Sequence, residues 1–437
     1  MIPAWQRGAS MAEILFAALF VLLVLGVPVA FSIAIAAFLA LSLGSRYPAI
    51  VIVKEMFSGI DSFPLLAVPF FILAAELMTG GAMTQALLRM TIRFMGHLRG
   101  GLGYANVVSS TMFAGISGSA LADAAGPGAM MIRMMEQGGY PRAYAGALTV
   151  SSAVVGPIIP PSIIMILYAM QDERVSVVAL FMAGILPGLC ITAAMLAANF
   201  WMSRRRGYVG SEPRADWSAR ARATVVALPS IGLIVLIIGG IRGGIFTPTE
   251  ASVMAVVYAL LCGMFVYRSL RLRDLPAILL RSALVSAAVL LILAGARAFA
   301  WMLIVEGVPQ AFADWIVALN LSPVVFLLAV NVLLLLFGLF MDPLPGVMIL
   351  VPILAPVAVA LGIDPIHFAI VVIVNLTIGL TTPPVGSLLF VVSSAVKLSP
   401  TQLIRELPPF FLANLVVLLV LTFVPTISTW LPRISGF

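Results

Sequence analysis

Charge is scarce in this chain. Asp, Glu, Lys and Arg make up 9% of 437 residues, against about 25% in a soluble domain. The longest polar stretch runs from 203 to 222, which leaves no room for a soluble catalytic domain. Histidine and cysteine occur twice each. His97 and His367 are too far apart in sequence to suggest a metal or catalytic pair, and both read as isolated residues. Cys190 and Cys262 lie in apolar stretches, so a structural disulfide is not expected. No G-x-x-x-x-G-K-[ST] segment is present. That excludes a P-loop nucleotide site, gives no sign of an organic cofactor, and points to an ion gradient as the energy source. The net charge of +7 is not a nucleic-acid signal. Six arginines (204, 205, 206, 214, 220 and 222) fall in one loop, the pattern that marks the cytoplasmic side of a membrane protein.

What the chain has in abundance is apolar sequence, 62% of all residues. Apolar stretches run roughly over 11–26, 29–44, 63–80, 141–171, 176–202, 224–241, 249–267, 277–304, 365–396 and 408–431. A crossing helix needs about 20 residues, so these predict an all-α integral membrane protein with about ten spans. The first stretch lacks a small-residue cleavage site after it and reads as a membrane helix, not a signal peptide. Two more regions, near 104–135 and 323–361, are apolar around a polar or Gly/Pro-rich centre. Each predicts a re-entrant helical hairpin with arms too short to cross alone. Segments near 49–60 and 308–320 carry scattered charge and suit interfacial helices.

The same pattern is written twice. G-P-I-I-P-P at 156–161 and G-L-T-T-P-P at 379–384 lie 223 residues apart, as do Gly139 and Gly362. Pro28 and Pro248 are offset by 220, and Asp123 and Asp342 by 219. Arginine placement puts the 203–223 loop in the cytoplasm, with the first hairpin entering from that side and the second from the opposite one. Each half then crosses five times, and the halves are inverted: 1–202 is the first repeat and 224–437 the second. Both termini fall outside, against which Arg7 and Arg433 stand as mild exceptions.

Both Pro-Pro pairs break an apolar helix, and a broken helix in lipid leaves backbone groups that need partners. Paired breaks of this kind hold ions and substrate in secondary transporters. In the first break, proline frees the Ala153 and Gly156 carbonyls, and Ser152 adds a hydroxyl one turn earlier. The first hairpin centre, A-G-I-S-G-S-A-L-A-D, offers Ser117 and Ser119, with Gly115 and Gly118 suited to a tight turn. Such neutral oxygens suit Na⁺, a hard cation; a packing turn of small residues is the plainer alternative. In the second half, Asn375 holds the place of Ser152, Thr381 and Thr382 add hydroxyls, and G-L-F-M-D-P-L-P-G from Gly338 faces them. Asp123 and Asp342 are intramembrane carboxylates and therefore functional candidates, or else caps of the hairpin arms. Arg297, alone in an apolar helix, would meet an anionic substrate, pair with a carboxylate such as Glu306, or snorkel. Glu76 and Glu250, near helix ends, read as structural.

These stretches resemble the large membrane subunit of a tripartite ATP-independent periplasmic (TRAP) transporter, of the DctM or SiaM type. The resemblance rests on F-P-L-L-A-V-P-F-F-I-L-A-A-E-L-M (63–78), G-G-L-G-Y-A-N (100–106), A-G-I-S-G-S-A-L-A-D (114–123), V-G-P-I-I-P-P-S (155–162), F-T-P-T-E-A (246–251) and G-L-T-T-P-P-V-G (379–386), in order along nearly the whole chain. It implies an elevator-type Na⁺ symporter of the bacterial inner membrane and no enzyme activity. It also implies a periplasmic substrate-binding protein and a small four-helix membrane subunit, here expected as a separate chain because no such extension precedes Met1. Implied substrates are organic acids: C4-dicarboxylates, sialic acid, keto acids or similar carboxylates. By position, the first Na⁺ site would use Ser117, Ser119, Ser152, Val155 and Pro157. The second would use Gly338, Asn375, Gly379, Thr381 and Thr382. A stand-alone Na⁺/dicarboxylate or citrate symporter is the alternative reading, and a channel or membrane enzyme a more distant one.

Overall fold

The computed structural model describes residues 10–44, 47–79, 81–319 and 321–436, and every regular element among them is helical. Arg7 lies outside the described residues. Local signals set the helix starts. Ser10 and Glu13 form a capping box at Met11–Val24, and Thr247 and Glu250 another at Pro248–Leu261. Glu250 thus has the structural role expected of it, accepting from the Thr247 amide at 2.8 Å.

Five helices are long and apolar enough to cross a membrane, and eight spans result if three bent pairs each count as one. The bends are Ile50–Ile60 with Phe63–Met78 (64°), Ser387–Val396 with Pro400–Glu406 (115°), and Pro408–Phe423 with Thr426–Ile434 (62°). Met11–Val24, Val29–Gly44, Pro323–Gly338 and Pro365–Gly379 are shorter apolar helices. Large apolar side chains remain on the outside, among them Phe20 (70% exposed), Leu43 (72%) and Phe340 (71%). An exposed apolar surface on this scale fits contact with lipid.

The order of elements recurs between the halves. A helical hairpin (Gly101–Ser117 into Ala120–Gln137, through a π-helical turn over Ala124–Gly128) precedes a helix broken after Ala153 and resumed at Ile163. In the second half, Pro323–Gly338 into Pro343–Ala360 precedes a helix broken after Gly379 and resumed at Ser387. One arm departs from expectation. Pro343–Ala360 is 18 residues long and apolar enough to span, because Pro352 and Pro356 are accommodated inside it without ending it.

The 30-residue helix Val177–Arg206 ties the halves together. It packs on Gly101–Ser117 of its own half and on Pro365–Gly379 and Pro408–Phe423 of the other. Gly184 allows it to pass over the first break, where a Cβ would fall 2.1 Å from the Ile158 carbonyl oxygen. Polar ties across the halves include Arg206 to Glu406 (2.6 Å), the Asn414 side-chain amide to the Ser151 carbonyl (3.1 Å) and Arg142 to the Val396 carbonyl (3.2 Å).

Candidate transport site

The first hairpin turns at Gly118, whose φ of +62° lies in the left-handed region that glycine adopts without penalty. Gly115 is not part of that turn. It stays helical and faces Ile234, so its small size serves packing. Ser119 follows in extended conformation and caps the next helical turn by accepting from the Ala122 amide. The tip lies directly on the first break, where a Cβ on Gly118 would meet the Pro161 carbonyl oxygen at 2.4 Å. A Cβ on Gly156 would meet the Ala120 amide nitrogen at 2.9 Å and Asp123 Oδ2 at 3.0 Å.

Asp123 is 4% exposed and does not cap the arm. Ser117 Oγ donates to its Oδ1 at 2.6 Å, while Oδ2 is buried without a hydrogen-bond partner. Asp342 behaves differently and caps Pro343–Ala360 by accepting from the Leu344 amide at 3.1 Å.

The first break recaptures only some of the carbonyls it frees. Gly156 N–H returns to the Ala153 carbonyl at 2.9 Å, contrary to the expectation that Ala153 is left open. The Val155 carbonyl accepts from the amides of Ile158 and Ile159, and the Pro157 carbonyl from the Ser162 hydroxyl. Pro157 and Pro160 carry no N–H. The carbonyls of Val154 and Gly156 accept no hydrogen bond among the described residues, and neither do those of Ile158, Ile159, Pro160 and Pro161. Ser152 stands apart from the tip: its hydroxyl meets Ser110 Oγ at 3.1 Å, about two turns back along the first arm.

The second hairpin is also seated on its break. Gly338 and Gly379 are in backbone contact, so a Cβ on either would come within 2.8 Å of the other's Cα. Thr381 and Thr382 both donate their hydroxyls to the Ile378 carbonyl, at 2.7 and 3.5 Å, which turns oxygen lone pairs away from the helix. Asn375 lies deeper. Its Nδ2 donates to Asn331 Oδ1 at 2.8 Å, and its own Oδ1 is buried without a partner.

Between the two tips is a cavity of about 520 Å³. Its wall includes Ser117 to Ala122 from the first tip, Asp342 to Leu344 from the second, Pro157 from the first break and Leu380 from the second. The remaining wall comes from Ala125 and Gly126 of the first hairpin, Ile163 and Ile164 where the first broken helix resumes, Ile72, Ala75, Glu76 and Thr79 at the end of Ala67–Met78, and Val285 and Val289 of another helix. Ser117, Ser119, Pro157 and Asp342 of the sequence candidates thus reach one chamber, while Asp123, Ser152, Val155, Gly338, Asn375, Gly379, Thr381 and Thr382 do not line it. Arg297 is also absent from the wall; its Nε approaches Glu55 Oε2 at 3.9 Å, so Glu55 and not Glu306 is its carboxylate neighbour. Glu76, read from the sequence as structural, has a place in the wall that the sequence does not announce. It lines the cavity and pairs with Arg281 Nε at 3.1 Å. The available signal was its position in an apolar stretch; its partner lies 205 residues away. No Arg or Lys lines the chamber among the described residues. Nor does any group of three or more His, Cys, Asp and Glu side chains form a metal site among them.

Fold and chamber together define a multi-pass helical membrane transporter with paired hairpins closing on broken helices. The sequence profile of the tripartite ATP-independent periplasmic transporter, DctM component, matches residues 16–427, and the chain belongs to that family. It is 39% identical over 439 residues to the C4-dicarboxylate TRAP transporter large permease protein DctM of Rhodobacter capsulatus, covering 97% of this chain and 99% of that one. It is 38% identical to the sialic acid TRAP transporter large permease protein SiaM of Vibrio cholerae, covering 94% and 96%. It is 36% identical to the isethionate TRAP transporter permease protein DctMQ of Oleidesulfovibrio alaskensis, covering 95% of this chain and 65% of that longer one. These relatives are permease proteins, not enzymes or stand-alone citrate symporters. Among solved structures, the YdaH transporter of Alcanivorax borkumensis shares the fold at a TM-score of 0.59 and 17% identity, over 89% of this chain and 88% of that one.

Proposed function

We propose that this chain is the large membrane subunit of a bacterial inner-membrane transporter that carries a small organic acid anion together with Na⁺. A periplasmic binding protein would deliver the substrate, and a small four-helix membrane subunit would complete the complex. Family membership supports the partners. The names of the relatives support the substrate class, which spans dicarboxylates, sialic acid and isethionate.

The observation that carries the coupling is the charge of the chamber. An organic anion entering it meets Ser117, Ser119, Thr79, Asp342 and Glu76, whose charge Arg281 already balances, but no cationic side chain lines the wall among the described residues. A carboxylate stripped of water needs a compensating charge. Na⁺, carried as co-substrate, would supply it. The oxygens suited to hold Na⁺ are Asp123 Oδ2 and the Val154 and Gly156 carbonyls near the first tip, with the Thr381 and Thr382 hydroxyls near the second. All are hard donors of the kind alkali and alkaline-earth cations take.

The two hairpins and two broken helices would move as one body, in an elevator motion permitted by inverted halves 1–202 and 224–437 around the 203–223 loop. The test is substrate uptake into proteoliposomes holding the chain and its partners. Uptake is expected to follow an inward Na⁺ gradient without ATP. Full uptake with choline in place of Na⁺ on both sides would overturn the reading.

A further inference from the structure

Some arginines in the chain find close carboxylates: Arg142 with Glu136 and Arg206 with Glu406 at 2.6 Å each, Arg281 with Glu76 at 3.1 Å. Three arginines at one end of the molecule do not. Arg89, Arg93 and Arg222 line a single cavity of about 360 Å³ with Ala86, Met134 and Glu212. Arg89 reaches, among the described residues, only Gln85 of its own helix, at 3.3 Å. Arg222 hydrogen-bonds, among the described residues, only to Ser218 of its own helix, at 3.4 Å. Arg93 approaches Glu212 no closer than 4.0 Å, with both side chains about half exposed. The nearby Asp216 carboxyl is hydrogen-bonded by Ser218 and the Ala219 amide and also attracts Arg222 electrostatically, although it does not line the cavity. Three guanidinium groups therefore face one carboxylate in the wall.

The cavity is built, not a chance gap between mobile side chains. The amides of Ser211 and Glu212 both donate to the Gly96 carbonyl, at 3.2 and 3.3 Å, and the Ser211 hydroxyl donates to the Gly138 carbonyl at 3.2 Å. The basic loop is thereby pinned between the end of Ala82–Met95 and the end of the first hairpin. Arg220, 9% exposed, packs its guanidinium over Phe94 and Trp217 and fixes the start of the next helix.

From Arg222 the Trp217–Arg242 helix enters apolar sequence. Val225 (64%), Val226 (53%) and Leu228 (52%) stand exposed beside the charged pocket. A ligand here needs an anionic head with several acceptor oxygens and an apolar body that continues along those side chains. Guanidinium groups match phosphate oxygens in that geometry, and basic pockets between membrane helices are known positions for lipid headgroups. We propose that Arg89, Arg93 and Arg222 bind the phosphodiester of an anionic phospholipid, wedged between the first hairpin at Met134 and the helix that starts at Trp217.

The test is native mass spectrometry of the full chain in detergent, titrated separately with phosphatidylglycerol, phosphatidylcholine and inorganic phosphate. Phosphatidylglycerol is expected to remain bound and phosphatidylcholine to be lost. Each of Arg89→Gln, Arg93→Gln and Arg222→Gln should weaken phosphatidylglycerol roughly fivefold. Glu212→Gln, which removes the competing carboxylate, should strengthen it several-fold. Because Glu212→Gln shifts binding in the opposite direction, a poorly folding arginine variant does not decide the outcome. Wild-type retention in all three arginine variants would overturn the proposal, as would equal retention of phosphatidylcholine. Displacement by equimolar inorganic phosphate would make this a free-anion pocket and would overturn the lipid assignment.

Discussion

At the residue scale the informative contrast is between Ser117 and Ser152, which the sequence presents as equivalent hydroxyls near one break. Ser117 holds Asp123, and Ser152 is bonded to Ser110 away from the chamber. Ser117→Ala removes the one side-chain partner that the buried Asp123 carboxylate has among the described residues, a loss on the order of 1–3 kcal/mol. The Na⁺ concentration for half-maximal uptake should therefore rise several-fold for Ser117→Ala and Asp123→Asn but change little for Ser152→Ala. Equal shifts in all three would show that the first tip has no special role in ion binding. Asp342 and Asp123 make the same point about legibility. Both read as intramembrane carboxylates at hairpin turns, yet one caps a helix and the other faces a break with an unpartnered oxygen. Which role each takes depends on what lies opposite, and a single sequence does not contain that contact.

At the scale of elements, proline and glycine carried most of what the sequence could tell. The Pro-Pro pairs at 160–161 and 383–384 mark both helix breaks, because proline cannot supply the amide that a continuous helix needs. Less legible were the 64° bend between Ile60 and Phe63 and the full length of Pro343–Ala360, since packing decides whether a helix bends or tolerates an internal proline. At Gly338 and Gly379 backbone meets backbone, with Cα against Cα. Alanine at either position must displace main chain, and overpacking of this kind costs typically 1–3 kcal/mol. By contrast, a Cβ on Gly126 meets only the Thr79 methyl group, at 3.1 Å. Gly338→Ala and Gly379→Ala are expected to lower the melting temperature and uptake together, while Gly126→Ala leaves melting within a degree or two. Thermal unfolding followed by intrinsic fluorescence checks the order, and a neutral Gly379→Ala would contradict the seating of the second hairpin.

At the scale of the whole molecule, the twofold pattern was visible in near-constant offsets of 219 to 223 along the chain, but the chamber was not. Its wall draws on positions from Ile72 to Leu380, and no local motif records that Glu76 will meet Arg281. The closeness of Thr79 to Gly126 allows a direct test of motion between the first hairpin and the helix beside it. With Cys190 and Cys262 replaced by alanine, Thr79→Cys combined with Gly126→Cys should cross-link on mild oxidation. If the hairpin travels relative to that helix, the cross-link should abolish uptake at least tenfold, and reductant should restore it. Uptake that persists in fully cross-linked protein would exclude such travel.

Each hairpin tip rests on the break of its own half, Gly118 at Pro161 and Gly338 at Gly379. This has a consequence for biosynthesis. Ribosomes add about 5–20 residues per second, so the first tip waits only seconds for Pro161 to emerge, but tens of seconds for Leu380 to complete the chamber. During that interval Asp123 is already sheltered by Ser117 and the first break, and the half-made chain need not expose its carboxylate to lipid while the second half is translated.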